Sequence, residues 1–264
     1  MGNIFIFSTI FLLFGLLIGS FLNVLIDRIP QGISVVKGRS RCDSCHRILR
    51  WYDMFPFFSF LVLRGKCRYC HKRIGWQTFI MEVFTGVVFA GAAYLLFTQI
   101  TSPVMLFFSL LYTLFILSCF IVIAVIDIKH GIIPNLFVYP SVVLSAAYHL
   151  FFFSTALPYV LSALGAGGFF LFLFIITKGR GMGFGDVKLT VLLGLFLGFP
   201  YIVISLYIAF LTGAVVAFIL VLGKKKKFSG GTIPFGPFLI AGALLAFFYG
   251  DFLWNHVLKM FFNI

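Results

Sequence analysis

Apolar positions in this chain run together in long blocks separated by short polar stretches, without the every-second or every-third-and-fourth spacing of a soluble domain. Blocks at about 5–26, 79–98, 104–126, 135–153, 157–177, 201–222 and 234–250 approach the roughly 20 residues a helix needs to cross a bilayer. An eighth block, 186–199, is shorter. At about 1.5 Å per residue it falls short of roughly 30 Å of hydrocarbon, so either the bilayer thins beside it or the 178–185 loop dips inward. Either arrangement brings water to membrane depth. The pattern predicts an all-α polytopic membrane protein with about eight transmembrane helices. Its parts are a first helix in 1–26, a polar loop of domain size in 27–78, and a seven-helix region in 79–264.

Composition agrees with the pattern. Hydrophobic residues make up 62% of the chain, aromatics 19% and charged residues 10%, with a mean hydropathy of +1.13. A net charge of +13 raises the question of nucleic acid. The bases, however, lie in short loops beside the apolar blocks, which membrane topology and anionic lipid explain. Nucleic acid is therefore set aside as a partner. With the N-terminus outside, 19 of the 20 basic residues fall on the cytoplasmic side, including Lys224, Lys225, Lys226 and Lys227, and only Lys259 falls outside. No base precedes Arg28, so the first segment reads as a retained helix and not as a cleaved signal peptide. Position 6 is Ile, which does not fit a myristoylation signal.

The polar loop carries Cys42-x-x-Cys45 and Cys67-x-x-Cys70. Each short turn points two thiolates at one ion, so the four cysteines predict a structural tetrahedral zinc site. A reducing cytosol argues against disulfides, and a loop this small needs a staple to fold. His46 and His71 adjoin the cysteines and are the alternative ligands. Cys119, inside an apolar block, reads as a small buried hydrophobe.

Two acids end apolar blocks on the same predicted face: Asp127 and Asp186. Acids there are costly and mark function. Two carboxyl groups sharing one site hold one proton between them, so one can activate a water while the other polarises a scissile carbonyl, as in aspartic proteases. Which residue plays which part is left open, because such a pair titrates as a unit. The rival reading is a proton relay in a proton-coupled transporter. Gly179, Gly181, Gly183 and Gly185 supply backbone freedom before Asp186. Lys129, His130 and Lys188 stand close in sequence, as orientation charges or as cations biasing the carboxyls. Glu82 is expected to open its helix, where an acid suits the N-terminal end, or to assist methyl transfer. Ser20 and Asn23 are expected to bond between helices, and Gly165-Ala166-Gly167-Gly168 to pack one helix closely on another. No role is assigned to His149 or His256.

Several stretches occur in order over residues 19 to about 240. They are Gly19-Ser20-Phe21-Leu22-Asn23-Val24, Arg28 to Pro30, and the two cysteine pairs. Asp127-Ile128-Lys129-His130 with Ile133-Pro134-Asn135 comes next, followed by Gly183-Phe184-Gly185-Asp186-Val187-Lys188 and Pro234-Phe235-Gly236-Pro237. This ordered set resembles the type IV prepilin peptidases, which combine leader peptidase and N-methyltransferase activities and carry the Gly-x-Gly-Asp motif of intramembrane aspartyl proteases. The resemblance implies a bacterial inner-membrane enzyme with Asp127 and Asp186 catalytic at the cytoplasmic face. It further implies cleavage of prepilins or pseudopilins after a glycine, removing a short basic leader. The new N-terminal residue, often Phe, would then be methylated from S-adenosylmethionine. Peptidase activity without methylation is the alternative. No Gly-x-Gly-x-x-Gly follows a strand here, so residues binding the methyl donor are not identified. Presenilin-type proteases share Gly-x-Gly-Asp, and archaeal preflagellin peptidases are expected to be shorter; neither is expected to carry the cysteine loop.

Overall fold

The computed structural model describes residues 2–35, 40–42, 44–152, 156–179, 181–222 and 234–258. Lys37, Arg39, Arg180, Lys224 to Lys227 and Lys259, used above to orient the chain, lie outside these residues. Within them the apolar blocks are helices: α1 Gly2–Arg28, α3 Trp76–Gln99, α4 Pro103–His130, α5 Asn135–Phe152, α6 Leu157–Ile176, α7 Phe184–Leu197, α8 Tyr201–Leu222 and α9 Gly236–Leu253. A short α2, Phe58–Val62, and a 3₁₀ turn, Trp51–Met54, belong to the polar loop. The termini follow local chemistry. Pro158 and Pro237 sit in the first turns of α6 and α9, where a missing N–H costs nothing. Gly131, at φ +66°, stops α4.

Seven of these helices are long and apolar enough to cross a membrane: α1, α3, α4, α5, α6, α8 and α9. α7, which corresponds to the short eighth block, is not among them. It has 14 residues, about 21 Å at 1.5 Å per residue. Many large apolar side chains face outward, among them Phe107 and Leu111 on α4 and Leu161 and Leu164 on α6. Such a surface suits lipid and not water.

The chain forms two compact units, residues 1–122 and 123–264, with α4 contributing to each. In the first unit α1 lies against α3 with almost no side chain between the backbones. A Cβ on Gly15 would fall 2.7 Å from Gly86 Cα, and one on Gly19 would fall 2.8 Å from Glu82 Cα. Asn23 adds the expected cross-helix bonds, accepting from Gln77 Nε2 at 3.2 Å and donating to the Thr78 carbonyl at 3.4 Å.

In the second unit α7 is the hub, touching α5, α6, α8 and α9. Its small residues bring neighbours close: a Cβ on Gly194 would meet the Ala163 backbone of α6 at 2.5 Å. In the Gly165–Gly168 run only Gly167 is needed for such contact, against Val191 of α7, while Gly165 and Gly168 border open space.

Candidate active site and metal centre

Asp127 lies in the last turn of α4 and Asp186 in the first turn of α7, and they are only 4% and 7% exposed. The chain around each explains its position. Gly131 folds back to donate its N–H to the Asp127 carbonyl at 2.8 Å, so α4 ends one turn past the acid. Asp186, third residue of α7, accepts the N–H of Gly183 on Oδ2 at 3.1 Å, satisfying a donor that the helix start leaves over.

Asp127 Oδ2 accepts the N–H of Gly236 at the start of α9, also at 3.1 Å. That contact requires glycine, because a Cβ there would fall 2.6 Å from the same oxygen. Ile133, between α4 and α5, joins the two halves. Its Cδ1 lies 3.2 Å from the Cβ position of Gly185 and 3.4 Å from that of Gly236. The α7 entry, which carries Asp186, and the α9 entry, which holds Asp127, thus share one apolar wedge, and the carboxyl groups interact electrostatically. Both carboxyls are buried, and each has one oxygen anchored by a backbone N–H.

Of the cations named from the sequence, Lys188 turns to α5. The Lys188 ammonium bonds Asn135 Oδ1 at the start of α5 and lies 5.5 Å from the Tyr139 ring centroid. It positions α7 against α5. Lys129 and His130 are exposed. His149 is buried and stacked on Tyr159 at 3.7 Å between ring centroids, and Cys119 is buried as expected.

The cysteine loop is built from two copies of one turn. The Cys42 N–H bonds the Arg47 carbonyl at 3.0 Å and the His46 N–H bonds the Cys42 carbonyl at 2.8 Å. The same pattern recurs from Cys67 to Lys72 at 2.8 Å and from His71 to Cys67 at 2.9 Å. Isolated bridges, Arg41 with Ile48 and Lys66 with Arg73, close both turns. His46 and His71 take left-handed φ values of 55° and 56° in these turns, and the residues grouped closely enough to hold an ion are the four cysteines.

The sulfur atoms of Cys42, Cys45, Cys67 and Cys70 all lie within 4.8 Å of one another, and the Cys42–Cys70 separation is 3.8 Å. A metal–sulfur bond of about 2.3 Å puts the corners of a tetrahedron about 3.8 Å apart, so the cluster fits such an ion. The N–H groups of Cys45 and Ser44 bring the Cys42 thiol down to about 7. The Cys70 thiol, although the Lys72 N–H acts in the opposite sense, is pushed up to about 11 by burial and by its sulfur neighbours. A bound cation would deprotonate it.

Asp53 ties the loop together. It accepts from Arg68 Nε at 2.7 Å, Tyr69 Oη at 3.1 Å and the Arg50 N–H at 3.1 Å. Burial alone would raise its carboxyl, but these donors, led by the Arg68 guanidinium, outweigh it and hold the group below the usual carboxylate range.

Glu82 does not open its helix as expected. It lies in the second turn of α3, 4% exposed, because α3 begins earlier, at Trp76. Its Oε2 accepts the Phe57 N–H at 2.8 Å, and the Ser20 hydroxyl bonds the same carboxylate.

Two family models match the chain: the bacterial Peptidase A24 N-terminal domain over residues 13–96, and the type IV leader peptidase family over residues 114–218. A prepilin leader peptidase/N-methyltransferase of Bacillus subtilis (strain 168) is 34% identical over 257 residues, covering 96% of this chain and 98% of that protein. The chain belongs to the type IV leader peptidase family.

Proteins of the same name from Burkholderia pseudomallei (strain 1026b), at 30% identity over 89% of this chain and 83% of that protein, and from Pseudomonas aeruginosa, at 28% over 94% and 91%, are also similar. No solved structure matches the chain. The matched A24 segments contain the cysteine cluster with Glu82, and Asp127 with Asp186. Gly236 lies beyond them, yet it holds Asp127. The sequence singled out neither Ile133 nor Asp53 for a role, since an apolar wedge and a loop acid carry no spacing signal.

Proposed function

We propose that this protein is a membrane aspartic endopeptidase of the leader peptidase family that also N-methylates its product. Its substrates are type IV prepilins or pseudopilins, cut after a glycine to remove a short leader. The observation that carries the peptidase reading is the burial of Asp127 and Asp186 at two helix ends joined by Ile133. One carboxyl takes a proton from water, which attacks the scissile carbonyl. The other donates a hydrogen bond to the carbonyl oxygen, and the shared proton passes to the leaving amine. Gly183 and Gly236 each hold one carboxyl oxygen, leaving the second oxygen of each acid for water and substrate.

The reading extends to topology and cofactors. α7 serves as a short eighth span, the N-terminus lies outside, and both acids sit at the cytoplasmic face of the bacterial inner membrane. The bases beside the apolar segments support that orientation. Residues 27–78 form a cytoplasmic domain between the first helix and a seven-helix region. Cys42, Cys45, Cys67 and Cys70 hold structural zinc, which would cross-link the two matching turns. S-adenosylmethionine supplies the methyl group.

The test is mass spectrometry of a prepilin co-expressed with the wild type and with Asp186→Asn. Loss of the leader and a gain of about 14 Da on the new N-terminus are expected with the wild type, and an intact leader with Asp186→Asn. Leader loss without the added mass would leave a peptidase alone. Cleavage by Asp186→Asn would break the dyad.

A further inference from the structure

The end of α1, the cysteine loop and the start of α3 line a cavity of about 360 Å³, whose walls come only from residues 20–82. Its volume lies at the small-molecule end of ligand sites. Acids and bases meet in its wall: Asp27 and Glu82 among the first, Arg28, Arg41, Lys72 and Arg73 among the second. An anionic headgroup would call for bases alone, and a basic leader would be repelled by four cations. A small zwitterion matches both signs.

Glu82 is the acid best placed to meet a ligand cation. It is 4% exposed, and burying a carboxylate in a membrane protein is costly unless partners compensate. A carboxylate has about four acceptor positions, of which the Phe57 N–H and the Ser20 hydroxyl fill two. Asp53 also lines the cavity, but three donors already occupy it.

Building on the methyltransferase half of the reading above, we infer that this cavity is the methyl-donor site. It takes S-adenosylmethionine, with Glu82 as counter-charge to the sulfonium and the basic residues as partners of the amino-acid carboxylate. The fit rests on size and paired charge: the ligand carries a carboxylate, two cationic centres and a flat apolar base, and Leu49, Phe60 and Ile74 add apolar wall. In the transfer, the lone pair of the substrate's new N-terminal amine forms the N–C bond. The S–C bond pair stays on sulfur, and the amine proton leaves to water. Glu82 favours the cationic donor over its neutral product, so it helps release the thioether once the methyl has moved.

Calorimetric titration of the full-length protein in detergent, with S-adenosylmethionine and separately with S-adenosylhomocysteine, tests the site. Glu82→Gln keeps the acceptor for the Phe57 N–H while removing the charge. It should weaken the sulfonium ligand by roughly tenfold and the neutral thioether by less than about threefold. Equal weakening of both ligands, or of neither, overturns the assignment of Glu82 and its cavity. A wild type that cleaves prepilin but binds neither ligand overturns the methyltransferase reading, and the site with it. Ultraviolet cross-linking of S-adenosylmethionine to the wild type decides the location without a variant. Adducts within 20–28 or 40–82 support the cavity, and adducts confined to 123–258 overturn it.

Discussion

Gly236→Ala isolates the contact that fixes Asp127, one acid of the proposed dyad. The alanine Cβ would stand 2.6 Å from Asp127 Oδ2 and 3.3 Å from its Cγ, with Ile133 Cδ1 at 3.4 Å blocking retreat on another side. To regain an ordinary contact of 3.4 Å the carboxyl oxygen must move by about 0.8 Å. That displacement stretches its 3.1 Å bond to the Gly236 N–H beyond useful length. A misplacement of about 1 Å costs on the order of 100-fold in rate. The expected loss in kcat/KM on a prepilin peptide is therefore about 50- to 100-fold, or roughly 2.5 kcal/mol of transition-state stabilisation. Overpacking should also cost about 1–3 kcal/mol of stability. Gly183→Ala is the matched control: its Cβ would meet Asp186 Oδ2 at an ordinary 3.6 Å, with a φ of −79° that any residue adopts. It should stay within about threefold of wild type, since nothing must shift. Cleavage kinetics on the purified proteins, with thermal unfolding as the fold control, give the answer. Equal losses in the two variants, or an unimpaired Gly236→Ala, would refute the idea that the α9 entry positions Asp127.

Three further outcomes are expected. Asp127→Asn should abolish leader removal while the protein still inserts, read by mass spectrometry of the prepilin; residual cleavage above about 1% of wild type would contradict a dyad mechanism. Metal analysis of the purified protein should find one zinc per chain, falling in Cys42→Ala together with faster proteolysis of residues 27–78; unchanged metal content would remove Cys42 from the ligand set. Asp53→Asn should loosen the same loop by about 1–3 kcal/mol at neutral pH, since a buried carboxylate with three donors is lost. Because the folded carboxyl titrates below its unfolded value, its stabilisation is complete above about pH 4 and fades as pH falls through the lowered value. The protease-resistance gap between wild type and variant should therefore narrow below about pH 4, and a constant gap would contradict the charge-based account.

The sequence by itself determined the helices, the cysteine cluster and the two acids, because each has a strong local signature. Long apolar blocks give membrane helices, with ends here within about four residues of those predicted. Cys-x-x-Cys pairs converge because each turn can point its thiols only one way. Acids at the ends of apolar segments are too costly to be incidental. Only the tertiary structure decided what holds those groups. Gly236 is 109 residues from Asp127, and Lys188 finds Asn135 across 53 residues, so neither partnership has a spacing to read. Lys188 looked like a companion of Asp186 because they are neighbours in the chain. On a helix, however, residues two apart point to different sides, and the ammonium turns to α5. Glu82 looked like the opening of a helix because the apolar block starts near it. α3 runs further back through Trp76 and Gln77, whose polar and aromatic groups find partners in the loop and in α1. That extra turn buries the acid against the Phe57 N–H and places it in the wall of a cavity, which no reading of the linear chain could enclose.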